Sequence, residues 1–391
     1  MLLKYAIGYA CLISAAIANA AVPEDSPAPV YRFGGVSAYP GFSLVEKRND
    51  NIFSSNANKQ SSLVSVISPS LLLQAKTGDD AYSLSYRGDV GRYSKSSADN
   101  YVDNNFLGSA ELSGSSGKKG NISLDYKTGH DDRGSTFGPG TLEPNAWRSS
   151  GIAGSFMYGA EEARGKILLD AGYRNRKYKN NREVTVAYDN ALRDMSAAFH
   201  FHVMPKTYVI LHAADTRIVY KDITSTLNGN ERRYLMGVTW EATTQTSGIF
   251  KIGQLQKKFD SATRPIFKGA SWDGSVRWTP LESTRVGLTS GRITSESTGV
   301  GNFLLITNHM LDFGYDMSEF SSLQFNTGKT TEDFKGVART DSTKSYGLKT
   351  EYKLRTWLIG ALEYTVAKKT STDPTAYYDR KVIAVSVRSA L

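Results

Sequence analysis

Five histidines carry the most recognisable chemistry in this sequence: His130, His200, His202, His212 and His309. His200 and His202 lie two residues apart in a stretch with strand-like alternation, so their rings share one face. His212 falls on the next strand, and its side depends on the hairpin between them. A two-residue turn puts it on the opposite face, a three-residue turn on the same one. A zinc site would need third and fourth ligands, and none is evident, so the rings read as polar wall residues. A serine hydrolase would need a nucleophile elbow, but the chain has no Gly-x-Ser-x-Gly. Asp131 and Asp132 beside His130 belong to a Gly/Pro-rich stretch that reads as a surface loop. No catalytic residue, metal or cofactor is expected, and the chain reads as a non-enzyme.

Charged residues on polar strand faces form the second candidate set. Projected inward are Arg87, Lys127, Arg174, Arg176, Arg277, Arg285, Lys349 and Arg388. Beside them stand Asp89, Glu111, Asp125, Asp170, Glu241, Asp273 and Glu351. The two signs nearly balance. That describes a salt-bridged wall, or a hydrophilic path that does not grip its cargo. The formal net charge of +9 therefore falls mostly on turns and loops.

These side chains must be positioned by strands. Tyr82-Leu84-Tyr86 alternates with Ser83-Ser85-Arg87, and Ile122-Leu124-Tyr126 with Ser123-Asp125-Lys127. The same period of two recurs at 167–174, 234–241, 272–278 and 345–352, and Ile383, Val385 and Val387 repeat it at the C-terminus before Leu391. A soluble sandwich also alternates, but here the connections alternate as well. Short ones fall at 76–79, 115–119, 159–162, 204–206, 280–283 and 353–355. Longer polar ones fall at Asn49–Gln60, His130–Asn145, Lys179–Ala191, Thr224–Glu231, Thr327–Asp341 and Lys368–Ala376. Short periplasmic turns and longer extracellular loops are the habit of outer-membrane barrels. The expected fold is all-β: a transmembrane antiparallel up-and-down barrel of about eighteen strands, within roughly 16–18. Mean hydropathy of -0.36 excludes a helical membrane protein but not a barrel, where only alternate residues meet lipid.

The N-terminus sets the expected compartment. Lys4 precedes an apolar run from Tyr5 to Ile17, and Ala18-Asn19-Ala20 makes a small-x-small cleavage site. Residues 1–20 read as a cleaved signal peptide, 21–40 as a periplasmic N-terminal extension, and 41–391 as the barrel. The only cysteine, Cys11, lies in the signal peptide behind a poor lipobox. The mature chain then has no thiol or disulfide chemistry. The expected location is the outer membrane of a Gram-negative bacterium.

Several segments give a resemblance along nearly the whole chain. They include Asn49-Asp50-Asn51-Ile52-Phe53, Ile67-Ser68-Pro69-Ser70-Leu71 and Phe267-Lys268-Gly269-Ala270-Ser271-Trp272. Trp278-Thr279-Pro280 with Ser283-Thr284, Tyr352-Lys353-Leu354-Arg355-Thr356-Trp357-Leu358 and Tyr378-Asp379-Arg380 complete the set. In their order and spacing the chain resembles the putative beta-barrel porin 2 family, typically encoded among exopolysaccharide or capsule biosynthesis genes. The resemblance implies help in secreting a polysaccharide across the outer membrane, beside a periplasmic polysaccharide-export protein. It supplies no catalytic residues. The alternatives are a general or small-solute diffusion porin and a structural or adhesive surface barrel. Expected partners are outer-membrane lipids, lipopolysaccharide and the barrel-assembly machinery, with no nucleic acid.

Overall fold

The computed structural model describes residues 31–135, 141–160, 163–241, 245–297 and 299–389. The signal peptide, Cys11 and Leu391 lie outside the described residues. The strands are β1 (Tyr31–Phe33), β2 (Val36–Asn49), β3 (Ser62–Thr77), β4 (Asp80–Tyr93), β5 (Tyr101–Gly114) and β6 (Lys118–Asp131). Next come β7 (Asn145–Tyr158), β8 (Gly165–Tyr178), β9 (Asn190–Met204), β10 (Thr207–Tyr220), β11 (Gly229–Trp240) and β12 (Thr246–Phe259). The last are β13 (Phe267–Leu281), β14 (Thr284–Glu296), β15 (Phe303–Asp316), β16 (Ser321–Lys335), β17 (Arg339–Arg355), β18 (Leu358–Ser371) and β19 (Tyr378–Ser389).

From β2 to β19 each strand pairs antiparallel with the next. The ring closes where β19 meets β2, from Val382 opposite Asn49 to Arg388 opposite Ser43. Along this seam closure pairs the two outer strands of the sheet with each other, so neither has to be satisfied in lipid. The short β1 folds back on β2 through Gly34, whose φ of 58° suits a residue without Cβ. The first long strand begins at Val36, five residues before the Gly41 boundary read from the sequence.

Alternation sorts every strand into two faces, because residues directly opposite in a ladder share a face. The outward face is apolar and bare: Leu84 is 53% exposed, Leu124 58% and Met195 69%. In water so continuous a surface would be an aggregation liability; in a bilayer it is the lipid contact. Tyr82, Tyr158, Trp278 and Tyr352 mark its periplasmic border, and Tyr126, Tyr173, Tyr346 and Tyr364 its extracellular one. Among the described residues no helix is long and apolar enough to cross a membrane.

One expected loop is mostly strand. The polar stretch Thr327–Asp341 contains the ends of β16 and β17, joined by a tight turn at Gly336. Its hydropathy alternation is lost because these strand ends rise above the apolar band, so both faces are polar as far as Phe334. The Thr224–Glu231 and Lys368–Ala376 stretches likewise give up residues to β11 and β18.

Candidate functional site in the barrel lumen

Register fixes where each inward candidate lies. Arg87 stands opposite Ser70 and Asn105 and contacts Asp89 at 3.0 Å, which also accepts a bond from Ser68 Oγ at 2.6 Å. Lys127 lies between Asn105 and Ser149. Arg174 reaches Asp125 at 3.9 Å, and Asp170 accepts the Ser196 hydroxyl at 2.8 Å. Arg176 donates to Asp131 at 2.9 Å, where Trp147 Nε1 and Tyr178 Oη also donate. Asp273 takes both Arg233 and Lys251 at 3.2 Å. Arg277, opposite Ser247 and Gly287, is exposed. Two clusters lie at the periplasmic end: Arg285 with Asp316 at 2.5 Å, and Glu351 between Lys349 at 2.6 Å and Arg388 at 3.2 Å. Most of these charges are met by partners on the same wall, several of them two strands apart, as in Arg174–Asp125, Arg176–Asp131, Arg233–Asp273 and Arg388–Glu351.

The histidines show how local turn chemistry sets a face. Pro205 cannot take the positive φ that primed hairpin turns require at their first position. The chain instead turns with Lys206 left-handed (φ 59°) and slips by one residue between Thr207 and Tyr208. That bulge sets Tyr208 opposite His202 and Ile210 opposite His200, so His212 joins both on the lumen face. Lys166 Nζ lies 4.6 Å from the Tyr208 ring centre beside them. Among the described residues no three potential metal ligands converge. His130 has both ring nitrogens engaged, by Asp103 at 3.0 Å and Asp132 at 3.2 Å, leaving neither to activate a serine. Ser290 Oγ meets His309 Nδ1 at 2.9 Å on the outward face, but there Trp272 Nε1 also donates to Ser290, and among the described residues no carboxylate orients the ring.

The extracellular mouth is built differently from the rest of the wall. Pairing of β13 with β14 starts at Trp272 opposite Arg292, leaving 267–271 and 293–296 without ladder partners across that seam. Ser271 Oγ instead donates to the Arg292 carbonyl at 2.7 Å. Above this point the β14–β15 hairpin curls inside the β12–β13 edge, so the wall laps over itself. Residues on the hairpin's outward phase meet residues on the inward phase of the neighbouring wall. Phe303 and Leu305 pack on Phe259 and Phe267. Thr294 donates to Glu231, and Glu296 accepts bonds from Lys257 Nζ at 2.5 Å and Tyr220 Oη at 2.8 Å. The other face is covered too, where Leu304 and Ile306 pack on Phe334 and Ile293. Burial on both faces, with Phe303, Leu304, Leu305 and Ile306 each no more than 3% exposed, is possible only for a strand end that has left the lipid-facing wall. Leu227 bridges this cluster to Leu192, Ile218 and Tyr220. The hairpin tip comes against Tyr188, where a Cβ on Gly299 would lie 2.5 Å from the phenol oxygen.

Residues 28–391 match the family described as Putative beta-barrel porin 2. The chain belongs to this family. No curated relative matches it in sequence. Among solved structures it is similar to Pseudomonas aeruginosa OpdK with vanillate, with TM-score 0.51 and 10% identity over 90% of this chain and 98% of that one. OccK2 from the same organism, in complex with glucuronate, gives 0.50 and 11% over 90% and 98%. The FrpB iron transporter (F3-3 variant) of Neisseria meningitidis gives 0.46 and 11% over 84% of this chain, which spans 62% of that protein. Identities this low speak to fold alone. Family and fold together make the chain an outer-membrane β-barrel of porin type.

For this porin-family barrel, sequence reasoning missed the mouth. Lys257, fully buried, and its partner Glu231 were not among the inward candidates. Carrying the Tyr234–Trp240 alternation upstream would place Arg233 and Glu231 on the lumen face. Asp341, fully buried between Arg339 at 2.8 Å and Lys369 at 2.6 Å, was hidden inside the stretch read as a loop.

Proposed function

We propose that this barrel is a passive channel for small hydrophilic solutes. The observation that carries the reading is the lumen wall, most of whose charges are held in internal pairs. Such a wall offers a polar path while setting up little net field for either sign of solute. Eighteen strands enclose a lumen of the class that holds an aqueous channel, and the lapped hairpin narrows its extracellular mouth. Secretion of an exopolysaccharide or capsular polysaccharide, beside a periplasmic export protein, rests on the family resemblance; no lumen residue argues for it. The proposal includes export by a signal peptide cleaved before Ala21, and insertion by the barrel-assembly machinery.

Swelling of proteoliposomes in sugars of increasing size tests the reading. Mono- and disaccharides should enter and long oligosaccharides should not. Absence of both swelling and conductance steps would refute a diffusion channel, and equal passage of long glycans would favour secretion. N-terminal sequencing of the mature protein tests the cleavage point.

A further inference from the structure

The outward face carries a charge pattern that transport through the lumen does not use. On β16, β17 and β18 the register sets Lys329 opposite Lys344, and Lys344 opposite Lys368. All three are exposed. They stand one outward position above Thr327, Tyr346 and Val366, at the extracellular edge of the aromatic border. At the periplasmic end of the same strands the outward face carries Leu323, Tyr352 and Gly360 instead. Side chains directly opposite in a sheet have Cβ atoms about 4.5–5.5 Å apart, and like charges at that spacing destabilise the pairing. Three in a row is a standing cost unless an anion sits between them.

Elsewhere on this rim the protein supplies its own anions. Arg232 is held by Asp215 at 2.8 Å, and Arg217 by Asp260 at 2.6 Å. Among the described residues no carboxylate forms an ion pair with Lys329, Lys344 or Lys368. Asp379 lies opposite Lys368 in the ladder but is taken by Lys59 at 2.5 Å. A second outward like-charge pair, Arg148 opposite Lys177, is exposed at the same end of the barrel.

The row lies where the apolar band ends and the headgroups of the outer leaflet begin. We infer that Lys329, Lys344 and Lys368 together bind the phosphate groups of a phosphorylated glycolipid of that leaflet. Phosphate is the chemistry that fits: a multivalent acceptor can bridge neighbouring ammoniums that would otherwise repel. The lipid form fits because the row abuts the hydrocarbon-facing surface that acyl chains would cover. This inference concerns the outside of the barrel and stands whether or not the lumen conducts.

Native mass spectrometry of the full barrel in detergent, with diphosphoryl lipid A as probe, tests it. The wild type should carry bound lipid. K329Q/K344Q/K368Q should need about a hundredfold more lipid for the same occupancy, from the usual contribution of a lysine at an anionic headgroup surface. Dephosphorylated lipid A should bind the wild type as weakly as diphosphoryl lipid A binds the variant, a comparison that requires no variant to fold. Equal occupancy of wild type and variant, or of phosphorylated and dephosphorylated lipid, would overturn the inference.

Discussion

Lys257 is the residue on which the lapped mouth depends most, and Lys257→Met tests that role. The ammonium is fully buried, 2.5 Å from Glu296 on the hairpin and 3.8 Å from Glu231 on the wall. Methionine keeps most of the length and removes the charge, leaving two carboxylates facing each other without a counterion. Removing one partner of a buried ion pair costs about 3–5 kcal/mol. The cost falls on the lapped state, because Glu296 regains water once the hairpin swings away from the wall. Even about 3 kcal/mol shifts the ratio of open to lapped mouths by about a hundredfold. Single-channel recording should therefore show larger or longer-lived conducting states in K257M than in wild type. Adding E231Q and E296Q should restore much of the lapped population, since replacing a whole buried ionic cluster by neutral groups is often close to neutral. Phe303 and Leu305 would still hold the hairpin by apolar contact. Wild-type conductance together with a wild-type thermal midpoint in K257M would refute the reasoning.

Val276→Arg or Leu288→Arg, on facing outward positions of β13 and β14, should impair membrane assembly by about 2–4 kcal/mol. Arginine at Ser275 or Thr289, their inward neighbours, should be tolerated, with heat-modifiable gel migration as the readout. Asp341→Asn, between Arg339 and Lys369, should lower barrel stability by about 3 kcal/mol in urea unfolding; an unchanged midpoint would mean the cluster is solvated. In the β6–β7 loop, burial pushes the Asp132 carboxyl up, but the His130 hydrogen bond and the charges of His130, Lys47 and Arg380 outweigh it and hold the group below 3.8. Its stabilisation is present above that unfolded value and lost as pH falls through the folded one. Thermal melts of wild type should fall more steeply than those of Asp132→Asn below about pH 3.8, and parallel curves would remove Asp132 from the account.

What was legible in the sequence follows from what a half-buried strand must look like. Tyr82-Leu84-Tyr86 and Ile122-Leu124-Tyr126 declare two faces because one meets lipid and the other water. The same logic reaches Arg87, Lys127 and Arg174, which lie on the inward phase of those strands or of β8. It fails where a strand rises out of the bilayer, as at 329–333, since neither face is apolar there. It also fails where both faces are buried: Phe303-Leu304-Leu305-Ile306 is a continuous apolar run with no alternation to read. The side taken by His212 depended on a one-residue bulge after Lys206, a feature of turn strain rather than of hydropathy. Ion-pair partners such as Lys257 and Glu296 come from strands that are not sequence neighbours, so no local spacing announces them.

The overlap at the β13–β14 seam also bears on how wide the opening can be. In a closed cylinder, strand number and stagger set the girth. Below Trp272 and Arg292 that rule applies to this barrel, because the ladder is continuous there. Above them the two edges slide past one another, and the separation is kept by the side chains sandwiched between them: Phe259, Phe267, Phe303 and Leu305. Trimming or enlarging those four would change the diameter of the rim while leaving the periplasmic half, the strand count and the lipid-facing perimeter as they are. Aperture in this fold is thus a matter of packing thickness at one overlap, separable from the architecture that spans the membrane.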